Sequence, residues 1–189
     1  MNRLVIPGIS EEDTAVLFNV KDLKQYTLTV ENLLQGRCPF CQIDPSLNKI
    51  LFQNDSWFLW ESAFPQSNQS CHLVIPHRNH IGHIRDLVLK DFLDFSDVLD
   101  WVDKNFDIPG GGMTLRFGDA RLHAGSVPNH LHWNIQVPNG NGRVQVTLCK
   151  DQDDHERKLK VLLVFEKLRT GTAFDSLSDE EQKIVAGRI

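Results

Sequence analysis

Asn129-His130-Leu131-His132-Trp133-Asn134-Ile135-Gln136-Val137 is the stretch on which the reading of this chain turns. In an extended strand, successive side chains alternate between two faces with a period of two. His130, His132, Asn134 and Gln136 then share one face, while Leu131, Trp133, Ile135 and Val137 share the other. The apolar face is suited to a core. The polar face can carry chemistry, because imidazole is a nucleophile, a proton carrier or a metal ligand near neutral pH. The competing reading is a solvated sheet face with no chemistry. Cys38-Pro39-Phe40-Cys41 upstream, with His77, His80 and His83 in between, gives the strand companions for a site.

The strand is closed by Pro138, and Asn139-Gly140-Asn141-Gly142 is a turn signal that predicts an antiparallel partner over Arg143–Leu148. On its other side lie a loop, His123–Asn129, and an alternating strand, Met113–Phe117. Gly110-Gly111-Gly112 follows a helix and precedes none, so it reads as a loop break and not as a phosphate cradle. Leu87, Phe92, Phe95, Leu99 and Val102 recur at helical spacing and predict one long amphipathic helix over Ile84–Phe106. Further upstream, His72–Ile75 is a short apolar strand closed by Pro76, and 63–70 is loop. Ile50–Gln53 and Trp57–Glu61 read as strands joined through Asn54-Asp55.

Both ends are helical. Ser10-Glu11-Glu12-Asp13 is a capping signal, and a second helix spans Asp22–Leu34 before Gly36. The tail reads as helices over Asp153–Leu168 and Ser178–Gly187. The expected division is therefore an N-terminal helical extension (1–35), a central domain (36–150) and a C-terminal helical extension (151–189). Hairpin-length links favour an α+β fold with an antiparallel sheet over a doubly wound one.

With 189 residues, 41% hydrophobic and 24% charged, the chain can bury a real core. A net charge of −5 gives no general attraction to nucleic acid or to a membrane. An anionic substrate then needs local help, from Arg116, Arg121, a helix N-terminus or backbone amides. No apolar run approaches the ~20 residues of a membrane span and no signal-peptide pattern opens the chain, so a cytoplasmic location is expected. Four cysteines are few for a disulfide scaffold. Cys38 and Cys41 form a C-x-x-C after a helix, which favours metal, with redox chemistry left open. Cys71 and Cys149 read as plain buried thiols. A nucleic-acid-binding zinc ribbon would need a second C-x-x-C and a basic face.

His72-Leu73-Val74-Ile75-Pro76, His80, Ala124-Gly125-Ser126-Val127-Pro128 and His130-Leu131-His132-Trp133-Asn134, in that order, resemble the histidine triad superfamily, closest to its zinc-containing bacterial members. The resemblance spans about 36–150. It implies a five-stranded antiparallel sheet with a long helix packed on it, a homodimer, and action on nucleotides. It makes His132 the nucleophile at the α-phosphorus of a dinucleoside polyphosphate, such as an adenine dinucleotide, or of a nucleoside phosphoramidate or adenylylated small molecule. Water, phosphate or another acceptor would then release the nucleotidyl group. Gly125 and Ser126 would hold phosphate oxygens, Gln136 and Arg116 would join the substrate, and Ser62 would meet the ribose. Phe40 or Phe64 would line the base, or belong to the core.

Cys38, Cys41, His80 and His130 are the implied ligands of a structural zinc. The family usually places its histidine at the position of Asn79, so a one-residue insertion is needed to use His80, with His77 and His83 as fallbacks. Two departures stand out. Asn134 replaces the third histidine, where the transferase and phosphorylase branch carries a glutamine that bonds the phosphoryl group. Arg116 stands where many relatives have asparagine, either to stabilise transition-state charge or to face solvent. The expected activity is nucleotidyl hydrolysis or transfer, including phosphorolysis; the alternative is a catalytically degenerate, zinc-stabilised nucleotide-binding or interaction module.

Overall fold

The computed structural model describes residues 4–123, 125–149 and 151–186. They form two compact units: Cys38–Asp119 with Asn129–Thr147, and Met1–Arg37 with Ala120–Pro128 and Leu148–Ile189.

The first unit is built on a five-stranded antiparallel sheet. Its strands are β1 (Phe52–Gln53), β2 (Phe58–Glu61), β3 (Gln69–Pro76), β4 (Gly112–Arg116) and β5 (His132–Pro138), in the order β1-β2-β3-β5-β4. The period-two reading of the histidine strand holds. Leu131, Ile135 and Val137 enter a core with Leu73 and Ile75 of β3, Leu59 of β2, and Trp57. One helix, α3 (Leu89–Asn105), closes that core with Phe95, Val98 and Val102. The result is the expected α+β architecture: one sheet, a helix on its apolar face and a polar face opposite.

Several expectations fail. Arg143–Leu148 forms no strand; β5 is central, and β3 and β4 already occupy both of its hydrogen-bonding edges. The helix expected over Ile84–Phe106 is broken. Ile84–Asp86 is a 3-10 turn, and α3 starts afresh where the Asp91 carboxylate accepts the Val88 N–H at 2.8 Å. Phe92, expected in the core, is more than half exposed in consequence. Cys149 is exposed and Cys71 half-buried, so neither is the fully buried thiol expected.

Gly82 marks a close approach, where a side chain would displace that of Asn129. A Cβ there would lie 2.1 Å from Asn129 Oδ1, at the point where the 77–83 loop crosses the entry to β5. The crossing is fixed by Leu131 N–H donating to Ile81 O at 2.7 Å.

The second unit is helical. α1 (Glu11–Thr14) is capped by Ser10, and α2 (Leu23–Leu34) by Asp22. Gly36, at φ +60, ends α2. Arg37 N–H reaches Asn32 O and Gly36 N–H reaches Leu33 O, the pairing a left-handed glycine makes possible. A short helix, α4 (Ala120–His123), runs up to the first residue of the stretch expected to be loop; α5 (Gln152–Arg169) and α6 (Asp179–Val185) complete the unit. Its core joins Leu17, Val20, Tyr26 and Val30 to Leu162 and Phe165. No helix among the described residues is long and apolar enough to cross a membrane.

Candidate functional site

The four side chains expected on the polar face, His130, His132, Asn134 and Gln136, are all buried, which removes the solvated-face reading. Register fixes their neighbours, since directly paired residues share a face. Arg116 of β4 and Pro76 of β3 lie opposite His132; Thr114 and Val74 lie opposite Asn134; Gly112 and His72 lie opposite Gln136.

At the entry to β5, Cys38, Cys41, His80 and His130 bring one donor atom each within 4.8 Å of one another. Cys38 Sγ lies 3.2 Å from His130 Nδ1, Cys41 Sγ lies 3.2 Å from His80 Nδ1, and Cys41 Sγ lies 3.5 Å from His130 Nδ1. A tetrahedral zinc with ordinary bond lengths sets sulfur and nitrogen ligands about 3.5 Å apart, so the donor set fits. The tautomer fits too. His130 Nε2 lies 2.7 Å from His77 O, and a carbonyl only accepts, so Nε2 carries the proton and Nδ1 offers its lone pair to the thiols. Burial pulls His130 down to about 4, which keeps that lone pair available at neutral pH. Burial, then the neighbouring Cys38, pushes the Cys41 thiol up to about 11. A dication in the cluster would supply the positive charge that reverses this preference and favours thiolate ligands.

The fallback histidines are accounted for elsewhere. His77 Nδ1 accepts the Asn79 N–H, and its Nε2 faces the Asp91 carboxylate at 3.2 Å. His83 caps the 3-10 turn by accepting the Arg85 N–H, and its ring meets Phe117 edge-on.

His132 is held from two sides. Its Nδ1 lies 2.8 Å from His130 O, so Nδ1 carries the proton and Nε2 the lone pair. Phe40, from the C-x-x-C turn, packs edge-on against His132 at 5.1 Å, His130 at 5.4 Å and Trp60 at 5.5 Å. Phe40 is therefore a buried ring beside both imidazoles.

Arg116, directly across from His132, is buried, not turned to solvent, and its Nη1 donates to Thr147 O at 3.1 Å. Burial lowers its pKa from the usual arginine value. Asn134 Oδ1 lies 3.0 Å from His72 Nε2. The Asn134 NH2 group is buried with no partner among the described residues. Such an orphan donor costs roughly 1–3 kcal/mol, which marks it as a place where a ligand acceptor is welcome.

The remaining expected residues have contacts of their own. Ser62 Oγ accepts the Phe64 N–H at 3.2 Å, a turn contact beside β2. Gly125 and Ser126 belong to the helical unit, where Asn19 donates to Gly125 O and Gln25 Nε2 donates to Ser126 Oγ. His72 is the residue that sequence reading missed. It reads as the first member of an apolar strand, and only its parity with Val74, one pleat along, signals a place on the polar face.

No protein-family model matches the sequence, and no curated protein matches it. Several solved structures resemble it. A zinc-bound histidine triad family protein from Mycobacterium smegmatis is 17% identical, covering 70% of this chain and 96% of that one, with a TM-score of 0.42. A HIT family hydrolase from Legionella pneumophila is 19% identical, covering 59% and 96%, with a TM-score of 0.41. A histidine triad nucleotide-binding protein from Candida albicans is 18% identical, covering 70% and 98%, with a TM-score of 0.39. All three are described as histidine triad (HIT) family proteins, one of them zinc-bound.

Proposed function

We propose that this chain is a histidine triad nucleotidyl hydrolase or transferase whose nucleophile is His132. The observation that carries the reading is the hydrogen bond from His132 Nδ1–H to His130 O. It leaves the nucleophilic lone pair on Nε2, on a buried face that also holds Arg116 and the Asn134 NH2 group. In the reaction, Nε2 attacks the α-phosphorus of an adenine dinucleotide or adenylylated small molecule. The bond from phosphorus to the leaving oxygen or nitrogen breaks, and the leaving group departs with its electron pair. The His130 carbonyl keeps hold of the Nδ1 proton and stabilises the imidazolium charge. Water or phosphate then breaks the phosphorus–nitrogen bond and frees the nucleotide.

Zinc held by Cys38, Cys41, His80 and His130 would supply a structural crosslink between the C-x-x-C turn and β5. Arg116 offers fixed positive charge to the phosphoryl oxygens, and Gln136 extends the polar face. On the resemblance, Ser126 stays in the catalytic set, and Gly125 and Ser62 in the substrate-binding set. The amide at Asn134 leans toward transfer to phosphate. The resemblance carries with it a cytoplasmic homodimer, for which the exposed Leu89, Phe92 and Leu93 of α3 are a natural apolar contact; light scattering measures the assembly.

The test is a denaturing quench of the wild type during turnover of diadenosine tetraphosphate, followed by peptide mass spectrometry. An adenylyl group on the His132 peptide is the expected result. Full turnover with the label on another residue, or with none, contradicts the reading. Nucleotide binding without product in any condition would instead favour the degenerate module.

A further inference from the structure

We propose that the buried pair His77–Asp91 is a positioning device for the metal centre: it fixes the carbonyl that orients His130, and so raises the affinity of the cluster for zinc without supplying a ligand. The inference rests on the ligand set Cys38, Cys41, His80 and His130, and is independent of the reaction assigned to His132.

A neutral imidazole offers one nitrogen to a metal while the other keeps the proton, and the ring must also point at the metal. For His130 both conditions fall to one acceptor, His77 O, 2.7 Å from Nε2. That carbonyl lies just past the end of β3, where the chain leaves the sheet for the 77–83 loop. A carbonyl at the start of a loop orients a partner only if its own residue is held. His77 is held three ways. Its N–H donates to Leu131 O at 3.1 Å, its ring meets Trp57 edge-on at 5.0 Å, and its Nε2 lies 3.2 Å from Asp91 Oδ1. A carboxylate only accepts, so Nε2 carries a proton toward it.

Asp91 is anchored in turn. Its Oδ2 accepts the Val88 N–H at 2.8 Å, its Oδ1 lies 2.8 Å from Ser56 Oγ, and its backbone carbonyl accepts Trp57 Nε1–H at 2.7 Å. Ser56, Trp57, His77 and Asp91 are all buried. Burying a carboxylate is costly, and capping α3 uses only one of its two oxygens. The second oxygen, aimed at Ser56 and His77, is what the cap leaves unexplained. The contacts run from the start of α3 through Asp91, His77 and His130 to the cluster, all within the first unit. A carboxylate two steps from the metal thus holds the ligand's own acceptor in place.

Zinc affinity of the full-length protein, read by competition with a chromophoric chelator, tests this. No ligand is lost in His77→Leu, so the variant should purify with zinc and yet bind it about tenfold more weakly than the wild type. His77→Gln, which keeps an N–H donor for the carboxylate, should recover most of that affinity. Asp91→Asn, which keeps the shape of the side chain and drops its charge, should weaken zinc several-fold. The double variant H77L/D91N should bind zinc no more weakly than H77L alone, because Asp91 acts only through His77. Val102→Ala is the control for a merely structural role. It opens a core contact of α3 about three helical turns from Asp91, and should lower the melting temperature while leaving zinc affinity unchanged.

Wild-type zinc affinity in H77L and D91N, or an equal loss in V102A, overturns the positioning role while leaving the ligand set standing. If H77L does not fold, D91N against V102A still decides. A wild type that binds no zinc overturns the ligand set and the role with it.

Discussion

His130 and His132 sit two positions apart and present opposite ring nitrogens. His130 gives its Nε2 proton to His77 O, and His132 gives its Nδ1 proton to His130 O. Two backbone carbonyls thus select opposite tautomers, one that suits metal binding at Nδ1 and one that suits the proposed attack on phosphorus at Nε2. The roles should separate on mutation. His132→Ala is expected to lose turnover by several orders of magnitude while keeping its zinc and its melting temperature. His130→Ala is expected to lose both zinc and stability. Activity in the first, or zinc retention in the second, measured by elemental analysis beside calorimetry, would reverse the assignment. The face itself was legible because a strand's period of two sorts polar from apolar without ambiguity. His72 was not, because His72-Leu73-Val74-Ile75 reads as one buried run. Phe40 was legible only as an aromatic with two competing roles; its contacts with the imidazoles depend on how the C-x-x-C turn folds.

The C-x-x-C turn and the 77–83 loop cooperate to build the metal centre, each adding side chains to one end of β5. Spacing alone left His77, His80 and His83 in competition, because a loop carries no period. Their neighbours separate them: His77 is engaged by Asp91, and His83 caps a turn. Elemental analysis should accordingly find zinc in His77→Ala and His83→Ala at the wild-type level, and little or none in His80→Ala. Zinc lost from His83→Ala and kept in His80→Ala would contradict the ligand set. The break before α3 was hidden for a related reason. Helical periodicity continues through Leu87, while the stop lies in Asp86 and Asp91 reaching back three residues to cap His83 and Val88. That three-residue acidic spacing was the signal to use.

For the whole molecule, the order of helices and strands identified the α+β class, and the hairpin-length links identified an antiparallel sheet. Strand order was less accessible. Asn139–Gly142 has the composition of a hairpin turn, yet β5 has no open edge to give Arg143–Leu148. Gln25 and Ser126, 101 positions apart, meet through a single hydrogen bond that no local pattern announces.

Stability of the chelator-treated chain should depend on pH through His130. Its folded value of about 4 lies below the ordinary 6.5, so above pH 6.5 both folded and unfolded chains leave it neutral and no cost arises. As pH falls from 6.5 toward 4, the unfolded chain takes up the proton first and stability is lost, by roughly 3 kcal/mol for the full shift. Denaturant midpoints across that range measure it; a flat profile would contradict the buried neutral imidazole.

The central claim is chemical, and product analysis reaches it most directly. Purified wild type and His132→Ala would each be incubated with diadenosine tetraphosphate, with and without inorganic phosphate. The wild type should release adenosine monophosphate without phosphate if it is a hydrolase, or adenosine diphosphate only with phosphate if Asn134 marks a phosphorylase, and the variant should release neither. Equal product from the variant, or none from the wild type in either condition, would contradict His132 as the nucleophile of a nucleotidyl transfer.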